Sequence, residues 1–141
     1  MRFLVIFFLF PLTAFGQHVY LEVTNLKNNK GNIIVAIFKD NETFQTEEDG
    51  TFDFKIFPKK SMKNGKLLVK FELPEGEYGL TLVDDENGNK TMDYNFIGLP
   101  KEGFGFSDYY HSGMTKPHFD KFKFNHSSKK DLRLTTKMRY L

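Results

Sequence analysis

The sequence predicts an all-β fold, an antiparallel β-sandwich of about seven strands, immunoglobulin-like or transthyretin-like. Three observations predict it. Apolar residues recur with a period of two along most of the chain, clusters of Asn, Asp, Gly and Pro punctuate those runs, and no long segment carries a helical period with caps. None of the 141 residues is cysteine, so the core holds the sandwich without disulfides.

The first sixteen residues are read as a leader outside the fold. Met1-Arg2 gives a positive start, residues 3–10 are uninterruptedly apolar, and Ala14-Phe15-Gly16 places small residues at −3 and −1 of a cleavage site. The apolar run is too short for a lasting membrane span. Cleavage near Gly16 leaves a single domain, residues 17–141, expected to be exported and soluble in the periplasm or outside the cell. The missing cysteine excludes a lipoprotein anchor at that site, and disulfide-free export suits a bacterial source.

The strands follow in order. Val19, Leu21 and Val23 alternate with polar neighbours as a half-buried strand. Asn28-Asn29-Lys30-Gly31-Asn32 has turn chemistry, so residues 33–38, apolar on both faces, are expected as the second arm of a hairpin and a central strand. Residues 40–50 are acidic and polar, a long connection anchored by Phe44. Phe52, Phe54, Ile56 and Phe57 make an apolar patch before Pro58-Lys59-Lys60. Leu67, Val69, Phe71 and Leu73 share a face, Pro74-Glu75-Gly76 turns the chain, and Tyr78, Leu80 and Leu82 return inward. Phe122 and Phe124, then Leu132, Leu134, Thr136, Met138 and Tyr140, repeat the alternation to the carboxy end.

Losing Arg2 with the leader leaves 19 Lys+Arg against 18 Asp+Glu, a net of +1. Such a balance draws no nucleic acid. The expected partner is an envelope protein or a glycan, with no membrane span and a monomeric chain. Addition of an edge strand to a partner is a third possibility.

The most informative stretch is LPEGEYGLTLVDDENGNKTMD. After a strand it spaces oxygen ligands at alternate positions, Asp85, Asn87 and Asn89, then the Thr91 carbonyl and Asp93, a set that can converge on calcium. The bidentate glutamate of an EF-hand is missing at the twelfth position, where Phe96 stands, so the site is expected to be weak, at about 10⁻⁴–10⁻³ M. A distant carboxylate such as Glu102 or Asp108 could complete the shell. An Asx-rich turn with no cation uses the same residue types. The loop is expected to share one end of the sandwich with the Pro74-Glu75-Gly76 turn.

A second candidate is GLPKEGFGFSDYY, residues 98–110. Its Phe104, Phe106, Tyr109 and Tyr110 could line a recognition loop for a sugar, peptide or partner, or could cap an open end of the sandwich as a packed loop. The four histidines fit no zinc spacing. Ser107, Asp108 and His111 are close in sequence, which is no evidence of convergence in space. GxSxG and HExxH are absent. No catalytic residue is assigned, and the chain is read as a non-enzyme.

The segments NLKNNKGNIIVAIF, LPEGEYGLTLVDDENGN, GLPKEGFGFS and LRLTTKMRY together resemble the bacterial DUF2141 family over residues 19–140. The resemblance implies an exported all-β domain of unassigned biochemical role. LPEGEYGLTL is also similar to the turn and strand of transthyretin-like and carboxypeptidase-regulatory domains, which are accessory or adhesive sandwiches. The family usually reads DENGNG; Lys90 stands where the last glycine would be, at a position that needs a left-handed backbone. The reading is a binding or accessory module of the envelope with a weak calcium loop. The alternative is an envelope hydrolase acting on glycan or peptide, with acids drawn from Asp84, Asp85, Asp93 and Asp108.

Overall fold

A computed structural model describes residues 18–46 and 51–141; the expected leader, residues 1–16, lies outside them. Eight strands form two sheets. The first sheet has β1 (His18–Thr24) at its centre, antiparallel to β4 (Leu67–Glu72) and parallel to β8 (Leu132–Lys137). The second runs β3 (Asp53–Pro58), β2 (Asn32–Phe38), β5 (Gly76–Asp85), and its far edge is shared by two short strands. There β7 (Lys123–His126) pairs with the start of β5 and β6 (Phe104–Phe106) with its later half.

Alternation does what the sequence predicts. Val19, Leu21 and Val23 of β1 face Ile33, Val35 and Ile37 of β2 and Leu80 and Leu82 of β5 in one buried cluster that Leu134 and Met138 close. Each strand contributes every second residue, so burying one face fixes its register.

The hairpin expected between the first two strands is not formed. β1 and β2 lie in different sheets, and the Asn-rich turn carries the chain across the sandwich. Asn25 (φ 62°) and Gly31 (φ 71°) take the left-handed backbone this crossing requires. A side chain at Gly31 would collide with the carbonyl oxygen of Asp85. The 40–50 connection contains a short helix, α1 (Asn41–Thr46), whose start is capped by Asp40 Oδ1 accepting the Thr43 N–H at 2.8 Å. Phe44 is its single buried residue, the anchor the sequence singled out.

Two further expectations are corrected. The Pro74-Glu75-Gly76 turn and the 85–93 loop lie at opposite ends of the ten-residue β5, about 30 Å apart at strand rise. The GFGF segment is not a loop: Phe104–Phe106 is strand, and Gly105 is needed because Thr136 Cγ2 and Met138 Sδ would meet any side chain there.

The second sheet buries part of its outer face as well. Phe38, Phe44, Phe106, Phe119 and Phe122 form a separate aromatic cluster, with α1 and the Phe119–Lys121 turn packed over the strands. Phe44 meets Phe38, Phe106 and Phe122 edge-on, an arrangement that suits the ring quadrupole.

Candidate functional site

β5 ends in two adjacent carboxylates that face opposite ways, because neighbouring side chains of a strand point to opposite faces. Asp84 turns into the sandwich. Its Oδ1 stands 2.5 Å from the Nζ of the fully buried Lys59, charge against charge and outside hydrogen-bond geometry, while Tyr140 donates to Oδ2 at 2.6 Å. Lys59 Nζ also donates to Asn28 Oδ1 at 3.3 Å, tying the crossing turn to the pair. Burial and the bond to Asp84 hold the Tyr140 hydroxyl protonated well above the ordinary tyrosine range.

Asp85 turns outward, into the base of the predicted cation loop. Its Oδ2 accepts the Lys90 N–H at 2.9 Å; its Oδ1 is buried without a partner. Glu102 lies beside it, Oε2 accepting the Asp93 N–H at 3.3 Å and Oε1 buried without a partner. Burial, with Asp93, Asp85 and Asp84 close by, pushes the Glu102 carboxyl above its usual range. Asp93 and Glu102 stand at the two feet of a small hairpin, closed by Lys101 N–H to the Asp93 carbonyl and by the Tyr94–Pro100 bridge.

The rest of the loop is knit by Asx turns. Asn87 and Asn89 each donate an amide N–H to Asp93 at 2.7 Å, and their own oxygens accept the Asn89 and Thr91 backbone N–H groups. Lys90 adopts φ 65°, the left-handed backbone expected of that position despite its side chain. The structure therefore brings Asp85, Asn87, Asn89 and Asp93 together and adds Glu102, one of the two distant acids suggested by the sequence. The other, Asp108, sits beyond the far end of β6 and accepts the Thr135 N–H at 2.7 Å.

The donor set fits a hard cation only in part. Asp85 and Glu102 supply two desolvated oxygens that nothing in the protein satisfies, which is costly for buried carboxylates. Among the described residues no three His, Cys, Asp or Glu side chains stand close enough to hold a metal by themselves. Calcium, however, accepts amide and carbonyl oxygens. Turning the Asn87 or Asn89 carboxamide to offer its oxygen gives up its bond to Asp93 and the backbone N–H it accepts, which the cation must offset.

The aromatic segment divides. Phe104 and Phe106 line a hollow of about 490 Å³ on the outer face of the second sheet. Tyr109 packs behind it against the aromatic cluster, and Tyr110 is exposed, with Lys137 Nζ 5.2 Å above its ring. The segment lies over a face of the second sheet, with Phe104–Phe106 as a strand of it. Ser107 bonds Leu80 N–H and the Phe122 carbonyl, filling the joint where β5 changes partner from β7 to β6, and His111 bonds the Thr115 carbonyl.

Comparison with known proteins gives one family match. A family model described as "Uncharacterized protein conserved in bacteria (DUF2141)" matches residues 21–133. The chain belongs to the DUF2141 family. No curated protein and no solved structure matches it. The matched span in this DUF2141 chain includes the whole 85–102 region and the hollow's strands.

Sequence reasoning missed Lys59, which looked like one of two lysines after a proline. Nothing in the local pattern separates it from Lys60. His126, one of the four histidines without zinc spacing, is buried in β7 with neither ring nitrogen partnered. No helix among the described residues is long and apolar enough to cross a membrane.

Proposed function

We propose that this DUF2141 protein is an exported, non-enzymatic binding or accessory module of the bacterial envelope, in which calcium staples the 85–93 loop to Glu102. One observation carries the reading: Asp85 Oδ1 and Glu102 Oε1 are each buried without a hydrogen-bond partner, and the two carboxylates are near enough to interact. A cation there neutralises carboxylates that otherwise repel, and it fixes both feet of the hairpin. Its role is structural, ordering loops at one end of the sandwich. Of the acids available to a hydrolase, Asp84 is engaged by Lys59 and Tyr140 and Asp108 by Thr135 N–H, which favours the non-enzymatic reading.

Thermal unfolding of the chain from Gln17, with calcium titrated against a chelator, tests it. Calcium at about 100 times its dissociation constant should add about 2.7 kcal/mol to the folded state. The shift should saturate and vanish in Asp85→Ala and Glu102→Gln. A melting temperature indifferent to calcium would leave the loop as an Asx-rich turn.

A further inference from the structure

We propose that the hollow on the outer face of the second sheet is a binding site for an uncharged, predominantly apolar small molecule bearing an aromatic ring. Its floor is made of outward positions on three adjacent strands. Ala36, Thr81 and Phe106 lie in one register row, Val83 and Phe104 in the next. Met92, Tyr94, Leu99 and Pro100 of the hairpin build one wall. Met114, Thr115 and Pro117 line it from the segment that follows β6.

Size and chemistry select the occupant. A volume of about 490 Å³ lies within the range of small-molecule pockets. Walls from the hairpin and from the segment after β6 make this sheet face concave. Among the described residues that line the hollow none has a carboxylate side chain, and Lys116 directs Nζ to the Phe44 and Gln45 carbonyls and over the Phe44 ring. Apolar side chains dominate this described lining, with Thr81 and Thr115 as neutral polar groups, which suits an uncharged ligand. Phe104, half-buried in the floor, sets an aromatic ring where a ligand ring can meet it edge-on or offset.

The rim is apolar too. Tyr94 and Met114 in its lining are exposed, and the tip of the same hairpin carries Phe96, fully exposed, and Ile97, largely exposed. Exposed large hydrophobic side chains gathered around one concavity mark a binding region more than scattered ones do. The site stands independently of the cation, and its test is run in chelator.

The probe is N-phenyl-1-naphthylamine, uncharged at neutral pH and fluorescent in apolar surroundings. The full chain should bind it saturably at one site. Ala36→Trp or Thr81→Trp, which fill the floor, should weaken binding at least tenfold while keeping a cooperative unfolding transition. Ile56→Lys, on the exposed edge strand β3, should bind as the parent does. Absence of saturable enhancement, or parental affinity in both filling variants, would overturn the proposal. If neither variant folds, amide shifts of the parent protein decide. Changes centred on Ala36, Thr81 and Phe104 support the site, and changes centred on Phe54 and Ile56 refute it.

Discussion

Lys59 Nζ and Asp84 Oδ1 stand 2.5 Å apart with both side chains withdrawn from solvent. Asp84 also accepts from Tyr140, so the end of β5 is fixed to the turn after β3 and to the residues beyond β8. This buried network holds the strand from which the cation loop departs.

Breaking such a pair leaves one charge stranded in a dry site. Lys59→Met should destabilise the protein by about 3–5 kcal/mol, and the double variant Lys59→Met/Asp84→Leu should recover most of it. Tyr140→Phe should cost about 1.5–3 kcal/mol, the range for a bond to a charged acceptor. Urea unfolding at pH 7 measures all three. A Lys59→Met protein within about 1 kcal/mol of the parent would show that the pair contributes little.

Glu102 makes stability without calcium fall as pH rises. Its carboxyl titrates above the ordinary 4.5 when folded, because of burial and the neighbouring Asp93, Asp85 and Asp84. The folded state thus favours the protonated form; that contribution is complete below 4.5 and is lost as pH climbs through the raised value. Unfolding midpoints in chelator should show this loss, calcium should reverse it near neutrality, and Glu102→Gln should abolish it. An unchanged slope in Glu102→Gln would contradict the assignment.

His126 acts in the opposite sense. Burial lowers its value below 6.5, partly offset by Glu75, so the folded state favours the neutral ring. Its contribution is present above 6.5 and is lost as pH falls through the depressed value. His126→Leu should remove that part of the acid dependence while leaving the Glu102 part in place. A parental profile in His126→Leu would sink the reading.

Lys90→Gly should both stabilise the loop and strengthen calcium binding. A left-handed L-residue costs about 1–2 kcal/mol, against about 0.5–1 kcal/mol of extra chain entropy for glycine. The net gain is therefore about 0.5–1 kcal/mol. Lys90→Ala separates the causes, since it removes the charge and keeps φ 65°. An alanine variant more stable than the glycine variant by about 0.5–1 kcal/mol, the entropy cost alone, would place no strain at residue 90.

The sequence made legible what depends on period. β1, β4 and β5 are legible from alternation and β2 from an apolar run, and the predicted inward residues of β1, β4 and β5 are the ones that are buried. Pairing was not legible, because the seven residues between β1 and β2 carry hairpin chemistry yet cross between sheets. β6 escaped notice since three residues with a central glycine have no period to detect, and Gly105 is there for its closeness to Thr136. In the site, the Asp85–Asp93 spacing was visible as a local pattern. Glu102 was only one of two guesses, as its place depends on β6 pairing with β5. Lys59 was invisible because its burial is set by elements distant in sequence.

The most direct test of the cation site is a calcium titration followed by amide resonances of the chain from Gln17. The account predicts one saturable set of shifts, with half-saturation at about 10⁻⁴–10⁻³ M, centred on Lys90, Thr91, Asp93 and Glu102 and lost in Asp85→Ala. Shifts that never saturate up to about 10⁻² M, or that scatter over exposed acids such as Glu42, Glu72 and Asp120, would contradict it.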